Sequence, residues 1–204
     1  MNGYFYDVAT GLVERRVIAP LRQGLIFPLR REIVDVGAGT GANFRYFHPG
    51  THVVAFEPDP SMARRARSKI AHSGARIELR IADDSGLETL PSESVDAVVM
   101  TLVLCTVDDP ISTLRRAKRV LKPAGTLILI EHVRSPGTVG RFQDFIAPAW
   151  RRIASGCHLD RETVDAVGSV GFDVAGVATK RLPKFFPIQE IIYGRLPLTA
   201  KDGA

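Results

Sequence analysis

This sequence predicts a doubly wound α/β sheet, seven-stranded and mostly parallel, with an antiparallel last strand. Three observations carry that reading. From residue 32 onward, short apolar runs alternate with segments of helical period. The first of these runs ends in a glycine turn, Gly37-Ala38-Gly39-Thr40-Gly41, the punctuation of a strand passing into a helix over a ligand. The run Val95–Leu104 is apolar along its length, as a central parallel strand covered on both faces must be.

The first 31 residues read as a helical segment. Leu12, Val13, Val17, Ile18, Leu21 and Leu25 recur near helical period, and Pro20 and Pro28 interrupt it. Glu32–Val36 is the first strand. His52–Phe56 is the second, and it closes on Glu57. Pro60 opens a helix to about His72, with Ser61 its expected cap. Arg76–Ala82 alternates apolar and polar as a third strand. Pro110–Leu121 is helical, stopped by Pro123 and Gly125, and Thr126–Glu131 is a buried strand. Val139–Ala154 reads as a helix broken near Pro148. Asp160 is the expected cap of a helix that Gly171 ends. Phe172–Ala178 and Phe186–Tyr193 are the last strands, joined through Leu182-Pro183-Lys184. With no helix between them, their pairing is expected to be antiparallel.

Composition narrows the class. A chain of 204 residues fits a single domain. With 45% apolar and 24% charged residues, it lacks the signature of disorder. Two cysteines, Cys105 and Cys157, exclude a disulfide scaffold and a four-cysteine zinc site, so a reduced, cytoplasmic setting is expected. The stretch Ala97–Val107 is far short of the ~20 apolar residues of a membrane span. Met1–Thr10 has no basic start of a signal peptide. The net charge of +5 is spread over helix faces such as Arg64–Arg67 and Arg115–Arg119. Solvated helices explain that pattern better than a nucleic-acid footprint, so no nucleic-acid partner is expected. Contact with a membrane surface stays open.

The glycine turn and Glu57 form the first candidate site. Glycines let the backbone turn tightly and approach a ligand without a Cβ in the way. Glu57 lies twenty residues after Gly37 at the end of the next strand, where a carboxylate can accept both hydroxyl protons of a ribose. The spacing also fits a loose dinucleotide fingerprint, Gly37-x-Gly39-x-x-Ala42. Against a nicotinamide oxidoreductase, the third glycine comes a residue early, no Tyr-x-x-x-Lys pair exists and no second domain is available.

Four spaced motifs then resemble the class I S-adenosylmethionine-dependent methyltransferases. They are Ile33–Asn43, Phe56-Glu57-Pro58-Asp59-Pro60, Ser94–Val99 and Arg119–Thr126. A narrower likeness, to the methyltransferase-like alkyl-thiol S-methyltransferases, rests on Thr101–Cys105, Glu131-His132-Val133, Asp144 with Ala149-Trp150, and Gly156–Glu162. It departs at the N-terminus, where the family's hydrophobic anchor has no counterpart, so membrane residence is not implied. The resemblance implies a Rossmann-like methyltransferase fold and S-adenosyl-L-methionine as cofactor. It implies that Gly37, Ala38, Gly39 and Gly41 hold the methionine portion, with Asp35 near its ammonium. Glu57 would take the ribose, Pro58 and Met62 would line the adenine, and Asp83 or Asp84 would face its amino group. Thr101 and Leu102 would flank the sulfonium.

The acceptor is expected to be a small apolar molecule, a thiol among the choices. Phospholipid N-methylation or quinone C-methylation at a membrane surface is the alternative, and a cofactor-binding module without catalysis is another. A thiol or phenol is mostly protonated near neutrality, so a base within reach is needed. His132 follows the fifth strand at the ligand-binding edge and is the expected catalytic base, with His158 and Glu131 as other candidates. Cys105 reads as a small buried hydrophobe, and no His/Cys/Asp spacing matches a metal motif, so no metal is expected. Residues 138–158 form a candidate acceptor lid, with Phe142, Phe145, Ile146, Trp150 and Ile153 on one helix face. Tyr4, Phe5 and Tyr6 are candidates to close the other side.

Overall fold

A computed structural model of the chain describes residues 14–182 and 187–199. Its strands are β1 (Glu32–Val36), β2 (His52–Phe56), β3 (Arg76–Arg80), β4 (Val95–Thr101), β5 (Leu121–His132), β6 (Ala178–Arg181) and β7 (Glu190–Pro197). Its α-helices are α1 (Ala19–Ile26), α2 (Pro60–Ile70), α3 (Pro110–Val120), α4 (Gly137–Ile153) and α5 (Thr163–Val170). One seven-stranded sheet has the order β3-β2-β1-β4-β5-β7-β6. The first five strands are parallel, and β7 runs antiparallel to both β5 and β6. The order reverses beside β1, so the carboxyl ends of β1 and β4 flank the crevice where such sheets bind ligands.

Alternation along the strands builds two cores. Val34, Val98, Met100, Leu127 and Leu129 face one side, with Leu114, Ala117 and Val120 of α3 and Val167 of α5. Ile33, Val53, Ala55, Val99 and Ile128 face the other, with Ile26 of α1 and Ala66 of α2. Period-2 side chains in covered parallel strands require this division. Arg116 of α3 pairs with Asp84 and Glu88, and Arg119 donates to the Leu87 and Leu90 carbonyls, so this basic stretch is tied to its own fold. Among the described residues no helix is long and apolar enough to cross a membrane.

Several boundaries differ from expectation for local reasons. Asp59, not Ser61, caps α2, and its carboxylate accepts the N–H groups of Ser61 and Met62 at 2.7 and 3.2 Å. α4 continues through Pro148, because proline deletes only one hydrogen bond of the ladder. Asp160 caps nothing; α5 starts at Thr163 after Glu162. Phe172 makes only a single bridge to Leu198, and β6 begins at Ala178. Asp173 accepts the Ala175 N–H at 2.9 Å, a side-chain turn that bends the chain away from extension. β7 runs Glu190–Pro197, later than predicted, and part of the turn before it lies outside the described residues. The same holds for Tyr4, Phe5 and Tyr6.

Candidate active site

One cavity of about 1390 Å³ opens at the carboxyl edge of the sheet. Gly37, Ala38, Gly39, Gly41, Glu57, Pro58, Met62, Asp83, Asp84, Thr101, Leu102 and His132 all line it. Residues spread from Gly37 to His132 meet there because the strand order reverses at β1.

The turn after β1 is held by the acid after β2. Gly39 has φ +57° and its N–H donates to Glu57 Oε2 at 2.8 Å. The Asp59 N–H donates to Oε1 of the same side chain at 2.9 Å. A Cβ on Gly41 would stand 2.9 Å from the Phe44 ring and 3.1 Å from Ala66 Cα, so the turn packs too tightly against α2 for any larger residue. Burial raises the Glu57 pKa, opposed by these two hydrogen bonds. Glu57 therefore braces the turn while facing the cavity.

Asp35 sits behind the turn. It does not line the cavity; it is fully buried in β1. Asn43 Nδ2 donates to its Oδ1 at 2.8 Å, while its Oδ2 has no partner. Burial raises its pKa to about 7, against the pull of Asn43 and of the Arg22 charge. Its partner Asn43 is on the wall.

The two adjacent acids separate cleanly. Asp84 accepts from the Thr113 hydroxyl at 2.8 Å and from Arg116 at 2.7 Å, so α3 engages it. Asp83 turns on itself, with Oδ1 accepting the N–H and hydroxyl of Ser85 at 2.9 and 2.6 Å. These bonds hold its pKa below the usual range.

β4 ends in a strained step. Leu102 has φ +57°, a left-handed conformation rare for a branched residue. The buried Thr101 hydroxyl beside it has no partner. A glycine cradle, a braced ribose-type acid and an orphaned hydroxyl on one cavity fit a ligand with several polar atoms.

A second cluster faces the same space. His132, at the end of β5, is buried, and its Nε2 lies 3.0 Å from Cys157 Sγ. Cys105 follows the Leu102 step, and one ligating atom from each of Cys105, His132 and Cys157 lies within 4.8 Å of the others. The Cys105 hydrogen bond, assisted by His132 and opposed by burial, lowers the Cys157 thiol to about 4. Burial pulls the His132 pKa down, but its bond to Cys157 and the charges of Cys157 and Glu131 outweigh it and leave it raised. Glu131 is no base for a substrate. It is fully buried, raised to about 7 by burial, and its Oε1 takes the Val103 and Leu104 N–H groups. His158 does not line the cavity.

Sequence reasoning missed Arg22, Asn43 and the meeting of the two cysteines. Arg22 is buried in α1, pairs with Glu14 and lines the cavity; a lone arginine in an apolar helical stretch was the available signal. The lid face divides. Trp150 and Ile153 line the cavity, while Phe142 and Phe145 point outward, Phe145 at 82% exposure.

Comparison with known proteins agrees with this geometry. Residues 34–129 match the family model described as a methyltransferase domain. The chain is 33% identical over 168 residues to the thiol S-methyltransferase TMT1B of Rattus norvegicus, covering 80% of this chain and 69% of that one. It is 34% identical over 144 residues to the human thiol S-methyltransferase TMT1A, covering 69% and 59%. Against a demethylmenaquinone methyltransferase of Tropheryma whipplei it is 34% identical over 123 residues, covering 59% and 46%. Among solved structures, an S-adenosylmethionine-dependent methyltransferase of Thermotoga maritima superposes with TM-score 0.65 at 23% identity, covering 95% and 93%.

Proposed function

The chain belongs to the class I S-adenosylmethionine-dependent methyltransferases, in the group of the thiol S-methyltransferases, and from that premise we propose that its acceptor is a small apolar thiol. The observation that carries this reading is the His132–Cys157 pair at 3.0 Å on the wall of the cofactor cavity. The surrounding wall is apolar: Val103, Val107, Trp150, Ile153, Ile188 and Ile191. Such a wall favours an uncharged, hydrophobic acceptor, and Trp150 and Ile153 give residues 138–158 their role as its lid. The thiol-methylating relatives support the choice of sulfur.

S-adenosyl-L-methionine supplies an activated methyl when bound. The chain's own residues bind and orient it. Glu57 takes the ribose hydroxyls, with Pro58 and Met62 beside the base. Asp83 takes the adenine amino group, because Asp84 is engaged by Arg116. Arg22 is the buried cation for the methionine carboxylate, and Thr101 and Leu102 flank the reacting end. The acceptor's S–H is ionised at the His132–Cys157–Cys105 cluster, and His132 is the residue on which that step depends.

The test is His132→Ala. Turnover on alkyl thiols should fall by about 10²–10⁴-fold with cofactor affinity by calorimetry unchanged. Wild-type turnover per folded molecule would remove His132 from the reaction. A second reading, a lipid or quinone acceptor at a membrane surface, is favoured by one feature. Phe142, Phe145 and Ile153 are exposed on α4 beside Arg141, Arg151 and Arg152, a pattern of interfacial helices. Co-sedimentation with anionic vesicles, lost in Phe145→Ser, would support it.

A further inference from the structure

The His132 cluster has a shape that the reaction as described does not explain. Three soft or borderline donors come from three loops at the same sheet edge: Cys105 after β4, His132 ending β5 and Cys157 after α4. Their donor atoms lie within 4.8 Å of one another, and all three residues line the acceptor cavity.

We propose that Cys105, His132 and Cys157 form a Cys₂His site for a thiophilic divalent metal, zinc foremost, whose fourth position opens to the cavity and takes the acceptor sulfur. This rests on the acceptor being a thiol. Tetrahedral zinc with bonds of about 2.3 Å to sulfur and about 2.0 Å to nitrogen sets its donors roughly 3.5–3.8 Å apart. The observed 3.0 Å between His132 Nε2 and Cys157 Sγ needs about half an ångström of opening. Three protein donors with one open position is the arrangement of catalytic rather than structural zinc.

The surrounding chain fixes the donors. The His158 N–H donates to the Cys105 carbonyl at 2.7 Å, joining the two cysteine loops directly. Arg161 adds a clamp, donating to the Leu104 and Val107 carbonyls on either side of Cys105. Ser155 and Gly156 both have positive φ, 52° and 85°, and this reversal turns the chain at the end of α4 so that Cys157 meets His132. Ser155 is a non-glycine residue held in the left-handed region, a conformation that persists only where the surrounding structure fixes it. His132 is fixed at the last residue of β5 by pairing with Ile191 of β7. A buried small hydrophobe at Cys105 would need none of these ties.

The chemistry balances. On loading, Cys105 and Cys157 bind as thiolates and release their protons to solvent. The acceptor thiol, R–SH, then forms a sulfur–metal bond and its proton also leaves to solvent. The metal-held thiolate attacks the methyl carbon. A carbon–sulfur bond forms to the acceptor, the methyl–sulfonium bond breaks, and its electron pair stays on the cofactor sulfur as a neutral thioether. Nothing is oxidised or reduced. The neutral methyl thioether is a poorer ligand than the thiolate and leaves. His132 in this scheme is a ligand, so its loss removes turnover through the metal.

Cobalt(II) titration of the chelator-treated, reduced full chain tests this without using activity. The expected result is one cobalt per chain, with intense thiolate-to-cobalt charge-transfer absorption and the strong visible bands of a tetrahedral site. Cys157→Ser should weaken the charge-transfer band and lose stoichiometric binding, and Cys105→Ser should do the same. Adding an alkyl thiol to the cobalt protein should increase the band, as a third thiolate joins. Cofactor binding by calorimetry, run on the same samples, should be unchanged and checks that each variant is folded. Absence of stoichiometric cobalt and zinc from folded, reduced wild type overturns the proposal, as does undiminished binding in folded Cys105→Ser and Cys157→Ser. Full thiol-methylating turnover in chelator-treated protein overturns the metal and leaves the thiol reading standing. Stoichiometric cobalt whose band ignores every thiol, in a protein that methylates none, sinks the thiol reading instead.

Discussion

Asp35→Asn should stabilise the free protein at pH 8 and leave it unchanged near pH 4. Asp35 is fully buried with one hydrogen bond, from Asn43, and its Oδ2 has no partner. Burial lifts it from an ordinary 3.8 to about 7. At about 1.4 kcal/mol per tenfold change in proton affinity, the ionised form costs the fold roughly 4 kcal/mol. The folded chain holds this proton more tightly than the unfolded chain. Stability is therefore full below about pH 4 and declines as pH rises to about 7, above which the loss is constant. Asn43 Oδ1 is also buried without a partner. A proton on Asp35, or the amide of an asparagine, would supply its donor and close a two-bond ring. Removing the charge should thus recover several kcal/mol at pH 8. Urea unfolding of the free protein at pH 5 and pH 8 measures this. Asp35→Asn should be the flatter of the two proteins with pH, and the more stable at pH 8. If it is no more stable than wild type at pH 8, Asp35 is not a strained carboxylate and the burial argument fails.

Glu57→Ala should weaken cofactor binding and also lower the melting temperature. It deletes two hydrogen bonds of about 1.5–3 kcal/mol each that brace the turn, and calorimetry with thermal melts reads both. Gly41→Val should fail to fold, whereas Gly39→Val should fold weakly and bind no cofactor. The difference arises because a Cβ on Gly39 meets only the Gly37 carbonyl at 4.0 Å, leaving positive φ and the ligand's space as the obstacles. Asp83→Asn should reduce cofactor affinity with little change in stability, and Asp84→Asn should do the reverse by breaking the Arg116 pair.

The parallel half of the fold was legible because its signals are local. Four strands began within the predicted runs, since buried parallel strands are written as short apolar stretches bounded by proline and glycine, while β5 begins at Leu121, five residues before the predicted Thr126. The C-terminal half was harder. Phe172 begins an apolar run, but Asp173 captures the Ala175 N–H and ends the strand before it starts. The competition between a side-chain turn and a ladder is decided by tertiary pairing, which periodicity does not carry. Likewise Pro148 reads as a break, yet α4 passes through it.

The site divides along the same line. The cofactor wall was readable because each element is a contiguous motif at the end of one strand, and a doubly wound sheet brings strand ends together by rule. Asp35 sits one layer behind the wall, which its position in a motif does not tell. The acceptor wall was only half readable. His132 was a candidate because it ends a strand, and it lines the cavity. Its partner Cys157 lies 25 residues on, beyond a helix whose length and exit set where the thiol lands. No short spacing encodes that meeting; Ser155, Gly156 and Arg161 produce it through backbone reversal and long-range hydrogen bonds. Trp150, Ile153 and Cys157 reach the cavity wall from the segment between β5 and α5, whereas Cys105 and His132 come from the ends of β4 and β5. Under the proposed function, changing that segment should alter acceptor choice while the glycine turn, Glu57 and Asp83 keep the same cofactor.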